Sequence, residues 1–197
     1  MSIEIRERRV VSNKHGTLEE FGLMRKRFDG SSQDLKREIY DPGDSAAILL
    51  YDPRRSRVLL TRQFRLPSYL KDGRENLIEA CAGRLQGADA RSRIIKEAEE
   101  ETGYRVRNPR LLFEAYLSPG NLAEKLTFFA AEYRPEDRAG RGGGREDEGE
   151  DIELLEPTLE EALAMIENGE IIDAKTIILL QYAKLHDLMS TAKPETD

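Results

Sequence analysis

Charged and apolar residues alternate over residues 3–11, 21–28 and 35–40. A period of two places successive side chains on opposite faces of a strand, so these stretches read as extended segments, with Asp29-Gly30 as the turn between the second and the third. They make a two-sided or edge sheet too small for a core of its own, to be packed on the main domain or on a second subunit. Pro42 and Gly43 then mark a boundary. Residues 46–51 and 58–64 are apolar-rich runs of strand length, joined by the turn Asp52-Pro53-Arg54-Arg55. Residues 69–74 read as a polar, glycine-containing loop, and residues 76–81 lead into the stretch that organises the chain, AGRLQGADARSRIIKEAEEETGYRV at 82–106.

That stretch switches to helical spacing. Asp89 or Ser92 is placed to cap a helix that Gly103 ends. Residues three and four apart share a helix face, so Glu97, Glu100 and Glu101 project together, while Ile94, Ile95 and Ala98 cover another side. Residues 111–117 and 126–133 follow as strands around the loop Ser118-Pro119-Gly120-Asn121, with Glu124 just past it. Residues 134–150 are hydrophilic and glycine-rich, a mobile loop by composition. Residues 152–155 form a short strand. Thr158 and Glu161 make a capping-box pattern for a helix with Leu159, Leu163 and Ile166 on one side and Gly169 as its stop. A last helix over residues 174–188 repeats the spacing through Ile178, Tyr182 and Leu185. Alternating strands and helices indicate an α/β or α+β sandwich. The chain divides into an N-terminal β subdomain (1–42), a main domain (43–190) and a flexible tail (191–197).

Composition narrows the chemistry. A chain of 197 residues, 39% hydrophobic and 35% charged, suits a soluble globular protein with one well-buried core. Its apolar runs are too short to span a bilayer, and its first residues lack the apolar segment of a signal peptide. Cys81 is the only cysteine, which excludes an internal disulfide and makes a cytoplasmic setting the expectation. A net charge of -7 argues against broad nucleic-acid binding, although Arg25-Lys26-Arg27 leaves room for a basic pocket. With two histidines, a histidine-based metal site is not expected.

Three carboxylates on one helix face repel one another and crowd the C-terminal half, where the macrodipole favours cations. Read plainly, they are a solvated acidic face. Read as chemistry, they are ligands for Mg²⁺ or Mn²⁺, whose preferred donors are carboxylate oxygens and which commonly bridge to substrate phosphates. Arg62 and Arg65 at a strand end suit phosphate recognition equally with surface solubility. The acidic, glycine-rich loop is either a solvated linker or a flexible carboxylate arm able to close over a metal.

The residues also resemble a family. Gly83 followed by Lys96-Glu97-Ala98-Glu99-Glu100-Glu101-Thr102-Gly103-Tyr104 is similar to the Nudix box: Gly, five residues, Glu, seven residues, Arg-Glu, an aliphatic residue, any residue, Glu-Glu, any residue, Gly and an aliphatic residue. Arg62-Gln63-Phe64-Arg65, Glu79-Ala80-Cys81-Ala82-Gly83 and Tyr116-Leu117-Ser118-Pro119-Gly120 resemble the flanks of its ADP-ribose pyrophosphatase branch. Residues 36–41, 142–150 and 169–176 are most similar to the bacterial GDP-mannose hydrolases of that branch. Departures are a box one residue short after Asp89, Lys96 in place of the box Arg, and Ala98 and Tyr104 at aliphatic positions. The first two also resemble features of that group, and they put in doubt a site role for Asp89.

The resemblance implies a Nudix-type α/β/α sandwich with a mixed sheet plus a small N-terminal antiparallel sheet. It implies Mg²⁺, or Mn²⁺, held by Glu97, Glu101 and the Ala82 carbonyl, with Glu100 completing the acidic face. A loop carboxylate, Glu150 or Glu148, would act on the attacking water, and Glu150 could also reach the metal. Lys36, Arg37, Glu38, Arg65, Gly83, Glu124 and Lys175 are the substrate positions carried over, Arg65 and Lys175 for phosphates and Glu38 for a base or sugar. The implied reaction is hydrolysis of a nucleoside diphosphate sugar, GDP-mannose to GMP and mannose 1-phosphate, in a homodimer that binds neither nucleic acid nor membrane. ADP-ribose hydrolysis and a catalytically silent binding module are the alternatives.

Overall fold

The computed structural model describes residues 3–190 except Glu146 and Glu148; the tail at 191–197 lies outside the described residues. They divide into two compact units, one of residues 3–44 with Tyr116–Leu126, the other of Ser45–Ala115 with the residues from Thr127 onward. In the first unit, β1 (Ile3–Asn13), β2 (Thr17–Lys26) and β3 (Ser32–Asp41) form an antiparallel sheet in that order. The alternation of charge serves cross-strand pairing: Arg8 with Glu19 at 2.7 Å, Arg9 with Glu20 at 2.6 Å and Arg6 with Asp34 at 2.8 Å. The loop carrying Glu124 belongs here, because Ala123 N donates to Tyr40 O and Tyr40 N to Asn121 O, each at 2.9 Å.

The second unit contains β4 (Ser45–Asp52), β5 (Arg57–Phe64), α1 (Leu66–Asp72), β6 (Asn76–Glu79), β7 (Cys81–Arg84) and α2 (Ala90–Thr102). It continues with β8 (Arg110–Ala115), β9 (Leu126–Glu132), β10 (Glu153–Leu155), α3 (Leu159–Glu167) and α4 (Ala174–Leu185). The sheet order is β10-β5-β4-β9-β8, with β6 pairing β5 and β7 pairing β4. Residues 46–50 of β4 are all at most 1% exposed, so both faces of the strand are covered. Ala46, Ile48 and Leu50 meet Ile94 and Ala98 of α2 together with Phe129, Ala131 and Tyr133. Alternation turns Ala47 and Leu49 to the other face, where α4 packs with Leu179, Leu180 and Ala183 buried. The result is the expected α/β/α arrangement.

Two local expectations change. The polar loop at 69–74 is largely helix: Pro67 lies in the first turn of α1, Ser68 Oγ donates to Arg65 O or Arg74 O, each at 2.8 Å, and Gly73 closes it in the left-handed region at φ 75°. Leu66, Tyr69 and Leu70 of α1 stand at helical spacing, but the run is only seven residues long, all three are exposed and the helix buries no residue. The second change is in the glycine-rich loop, whose first part is docked on the end of α2. Ala139 N and Gly140 N donate to Gly103 O at 2.8 and 3.0 Å, and Gly143 N and Gly144 N to Glu101 O and Glu100 O at 2.8 and 3.3 Å. These bonds satisfy carbonyls that a helix end leaves without partners.

Glycine is required for that approach. Gly142 has φ 69°, and a Cβ there would lie 2.6 Å from Thr102 C and 2.7 Å from Glu101 O. Gly142→Ala should therefore destabilise by about 3 kcal/mol, combining left-handed strain with overlap. Gly87→Ala, at φ 81° with nothing within 4 Å, should cost only the strain, about 1 kcal/mol. Urea unfolding midpoints of the two variants check the difference.

Candidate active site

Pairing of β7 with β4 sets Ala82 opposite Ala47 and Gly83 opposite Ala46, and α2 packs against β7. A Cβ on Gly83 would overlap the Glu97 carboxylate, so the missing side chain is what lets Glu97 lie over the strand backbone. Glu97 and Glu101, one turn apart, are buried at 9% and 3% exposure. Glu97 is paired with Arg93 one turn earlier, and Glu100, farther out, lies 3.5 Å from Lys96. Glu99 is elsewhere, accepting from Val106 N. Asp89 is the N-cap, accepting from Ser92 N at 2.9 Å, which explains its presence without a site role.

Burial dominates the electrostatics. It pushes Glu101 up to about 8, reinforced by the charges of Glu97 and Glu150 against a hydrogen bond from Cys81 and the attraction of Arg65. Burial also raises Glu97; Arg93 opposes it, and Glu100 and Glu150 add to it. Glu101 Oε2 is buried with no hydrogen-bond partner among the described residues. Glu150 is thus close enough to repel both helix carboxylates, and its Oε2 accepts from Arg145 N at 2.8 Å. No three His, Cys, Asp or Glu side chains converge into a ready cation site among the described residues; Arg93 holds Glu97 instead. The donor chemistry nevertheless fits a hard divalent cation. An unpartnered carboxylate oxygen and two carboxylates with raised proton affinity would all be relieved by one.

Beside this pair lies a buried knot of charge. Glu79, ending β6, is 2% exposed and accepts from Arg65 Nε at 2.6 Å and Arg65 Nη2 at 3.2 Å. Lys175 Nζ also pairs with Glu79 and lies 3.0 Å from Asp173 Oδ1. Asp173 caps α4 through Thr176 N, and Thr176 Oγ1 accepts from Ala80 N at 2.7 Å. Burial works against the Glu79 charge, but Lys175 and Arg65 outweigh it and hold the carboxyl below its usual range. Sequence reasoning paired neither phosphate candidate with Glu79. The available signal was an ionisable residue directly after buried Ile78 in a strand, a position that requires a partner.

Ala82, Gly83, Glu97, Glu101 and Glu150 are therefore brought together, as are Arg65 and Lys175. Lys36, Arg37 and Glu38 lie on β3 of the first unit, lining with Glu7, Arg9 and Phe21 a concavity of about 310 Å³. Glu124 is on the loop of that same unit. Glu148 lies outside the described residues.

Residues 41–180 match the NUDIX domain, and the chain belongs to the Nudix family. Over 183 residues it is 48% identical to a GDP-mannose pyrophosphatase of Pectobacterium atrosepticum, covering 92% of this chain and 93% of that one. GDP-mannose pyrophosphatases of Escherichia coli and of Shigella flexneri are each 46% identical, over 92% of this chain and 94% of theirs. Among solved structures, an ADP compounds hydrolase superposes with a TM-score of 0.70 at 15% identity, covering 94% of this chain and 96% of that one, a likeness of fold.

The raised carboxyls have a thermodynamic consequence. Glu101 binds its proton more tightly folded than unfolded, so its contribution to stability is complete below about pH 4.5, the ordinary glutamate value, and is lost as pH rises through about 8. Metal-free protein should show a Tm contribution that falls across this window. Adding Mg²⁺ should flatten the slope at its alkaline end, and Glu101→Gln should remove most of it; thermal melts at stepped pH check this.

Proposed function

We propose that the chain hydrolyses the diphosphate of nucleoside diphosphate sugars, GDP-mannose to GMP and mannose 1-phosphate, with Mg²⁺ or Mn²⁺ as cofactor. The observation that carries this reading is the buried Glu97–Glu101 pair with Glu150 beside it, in a chain whose relatives are GDP-mannose pyrophosphatases. Glu97, Glu101 and the Ala82 carbonyl would hold the cation, with Glu100 at the rim. When bound, it neutralises charge on the diphosphate and lowers the pKa of a water. Glu150, or Glu148 of the same loop, takes a proton from the attacking water as its oxygen forms a bond to phosphorus. The bond from that phosphorus to the bridging oxygen breaks, and its electron pair leaves with the other phosphate. Arg65 takes a phosphate oxygen. Lys36, Arg37, Glu38 and Glu124 are the proposed further substrate contacts, Glu38 for a base or sugar, with Gly83 the close backbone approach and Lys175 a second cation behind Arg65 that supports it at the phosphates.

We also infer a cytoplasmic homodimer. Nearly all of β1 is exposed, with Ile3 and Ile5 at 68% and 61% and Val10 and Val11 at 56% and 44%, apolar surface suited to a second copy. No helix among the described residues is long and apolar enough to cross a membrane. Light scattering of the parent and of an Ile5→Lys, Val10→Lys variant should show a dimer and its loss.

Product identification on a panel of nucleotide sugars with Mg²⁺ tests the reaction. GMP and mannose 1-phosphate should appear from GDP-mannose with a higher kcat/KM than ADP-ribose gives. Glu97→Gln and Glu101→Gln should each lower kcat by about 1,000-fold, and the loop base by about 100- to 10,000-fold. Glu150→Gln and Glu148→Gln compared side by side identify that base. No release from any diphosphate substrate, or no effect of the helix substitutions, would overturn the reading.

A further inference from the structure

Arg65 and Lys175 differ sharply in what they have left to offer a ligand. Lys175 is 12% exposed and lies between two carboxylates, Glu79 and Asp173. Arg65 is 40% exposed, with Nε and Nη2 both engaged by Glu79 and no partner for Nη1 among the described residues. A two-point fork fixes the plane of a guanidinium, and with it the direction of the donor that remains. The Glu79 anchor is immobilised in turn. Its residue pairs with Thr61 across β5 and β6, and Thr61 Oγ1 donates to Glu79 O at 3.1 Å. The Arg65 backbone is pinned as well, with N donating to Glu75 O at 2.9 Å. The guanidinium as a whole lies close enough to Glu101 for the two charges to attract.

Charge explains the second cation. One carboxylate on one guanidinium is a neutral pair with weak attraction for a phosphate. Lys175 shares Glu79 Oε2 with Arg65 Nη2 and offsets the carboxylate charge next to the guanidinium, while Asp173 answers Lys175 on its other side, so Lys175 stays enclosed in the knot and the more exposed Arg65 presents its charge to a ligand. Resting on the reading of this site as a diphosphate hydrolase, we propose that Glu79 is its positioning residue. It aims Arg65 at the diphosphate and is itself neutralised by Lys175, so that Arg65 alone of the two contacts a phosphate oxygen directly.

The test is a cycle of full-length variants: Glu79→Gln, Arg65→Ala and both together, assayed on GDP-mannose with Mg²⁺. Glu79→Gln keeps the shape and loses the charged fork. Its kcat should fall about 10- to 100-fold, the scale of an ångström of misplacement, with KM raised by no more than about tenfold. In the Arg65→Ala background the same substitution should change kcat by less than about threefold, because the group it orients is gone. Equal losses in both backgrounds, or no loss, overturn the proposal. Glu79→Gln also leaves Lys175 without one of its partners, so Glu79→Gln with Lys175→Met serves as the charge-balanced control. It should keep the kcat loss, and recovery of kcat would overturn the proposal by tracing the loss to an unbalanced buried ammonium. Inorganic pyrophosphate binding, measured by calorimetry, separates the two readings. A parent that turns over no nucleotide sugar defeats the function alone. Pyrophosphate affinity should still fall about tenfold with Arg65→Ala or Glu79→Gln and no further with both, and additive losses there defeat the positioning role.

Discussion

Two carboxylates one helical turn apart, buried against the backbone of a strand, are the constraint to which the rest of the main unit conforms. Glutamate is expensive to bury, and Glu101 keeps an oxygen with no partner among the described residues. Around this pair each neighbour has given something up. Gly83 has no side chain where Glu97 lies, and Cys81 is small enough to be fully enclosed beside Glu101. Arg93 spends its charge on Glu97 instead of on solvent. The apolar side of α2, Ile94 and Ala98, offsets the electrostatic penalty by filling the core against β4.

A second principle governs the cations. Most arginines of the second unit near a carboxylate form simple pairs, such as Arg62 with Glu153 at 2.8 Å. The Glu79 knot is different: two cations share one buried carboxylate, and Asp173 balances the far side through the N-terminus of α4. Such a network is costly to desolvate and rigid once satisfied, which favours orientation over stability. It also joins two neighbouring elements, the start of α1 and the end of β6, to Lys175 at the start of α4, ninety-six residues beyond Glu79, at a single point.

Much of this was legible in the chain because local rules and tertiary demands agree. Asp89 and Gly103 delimit α2, Thr158 and Glu161 form the capping box of α3, and the apolar run at 46–51 is the strand buried on both faces. The carboxylates of α2 were readable as a shared face, since helical geometry alone brings Glu97 and Glu101 together. What the chain conceals are features decided by long-range contact. Glu79 meets Lys175 across ninety-six residues, and no local pattern announces that pairing. Helix α1 is seven residues long and buries nothing, so the spacing of its Leu66, Tyr69 and Leu70 answers to no core. The glycines at 142–144 spell flexibility in composition, whereas their positive φ angles and, at Gly142, the missing side chain permit close docking on α2.

That docking ties the two halves of the acidic site into one mechanical unit. A helix ending in glutamates is opposed by its own macrodipole, and its last carbonyls need donors. The donors are Gly143 N and Gly144 N, bonded to Glu101 O and Glu100 O, within a few residues of Glu150. The segment that delivers the loop carboxylate therefore also finishes the helix that carries the other two. Withdrawing the arm would uncap α2 at Glu100 and Glu101, and loosening the end of α2 would release the arm. Helical geometry sets the spacing of Glu97 and Glu101, and the same few hydrogen bonds that finish their helix fix where the segment leading to Glu150 begins.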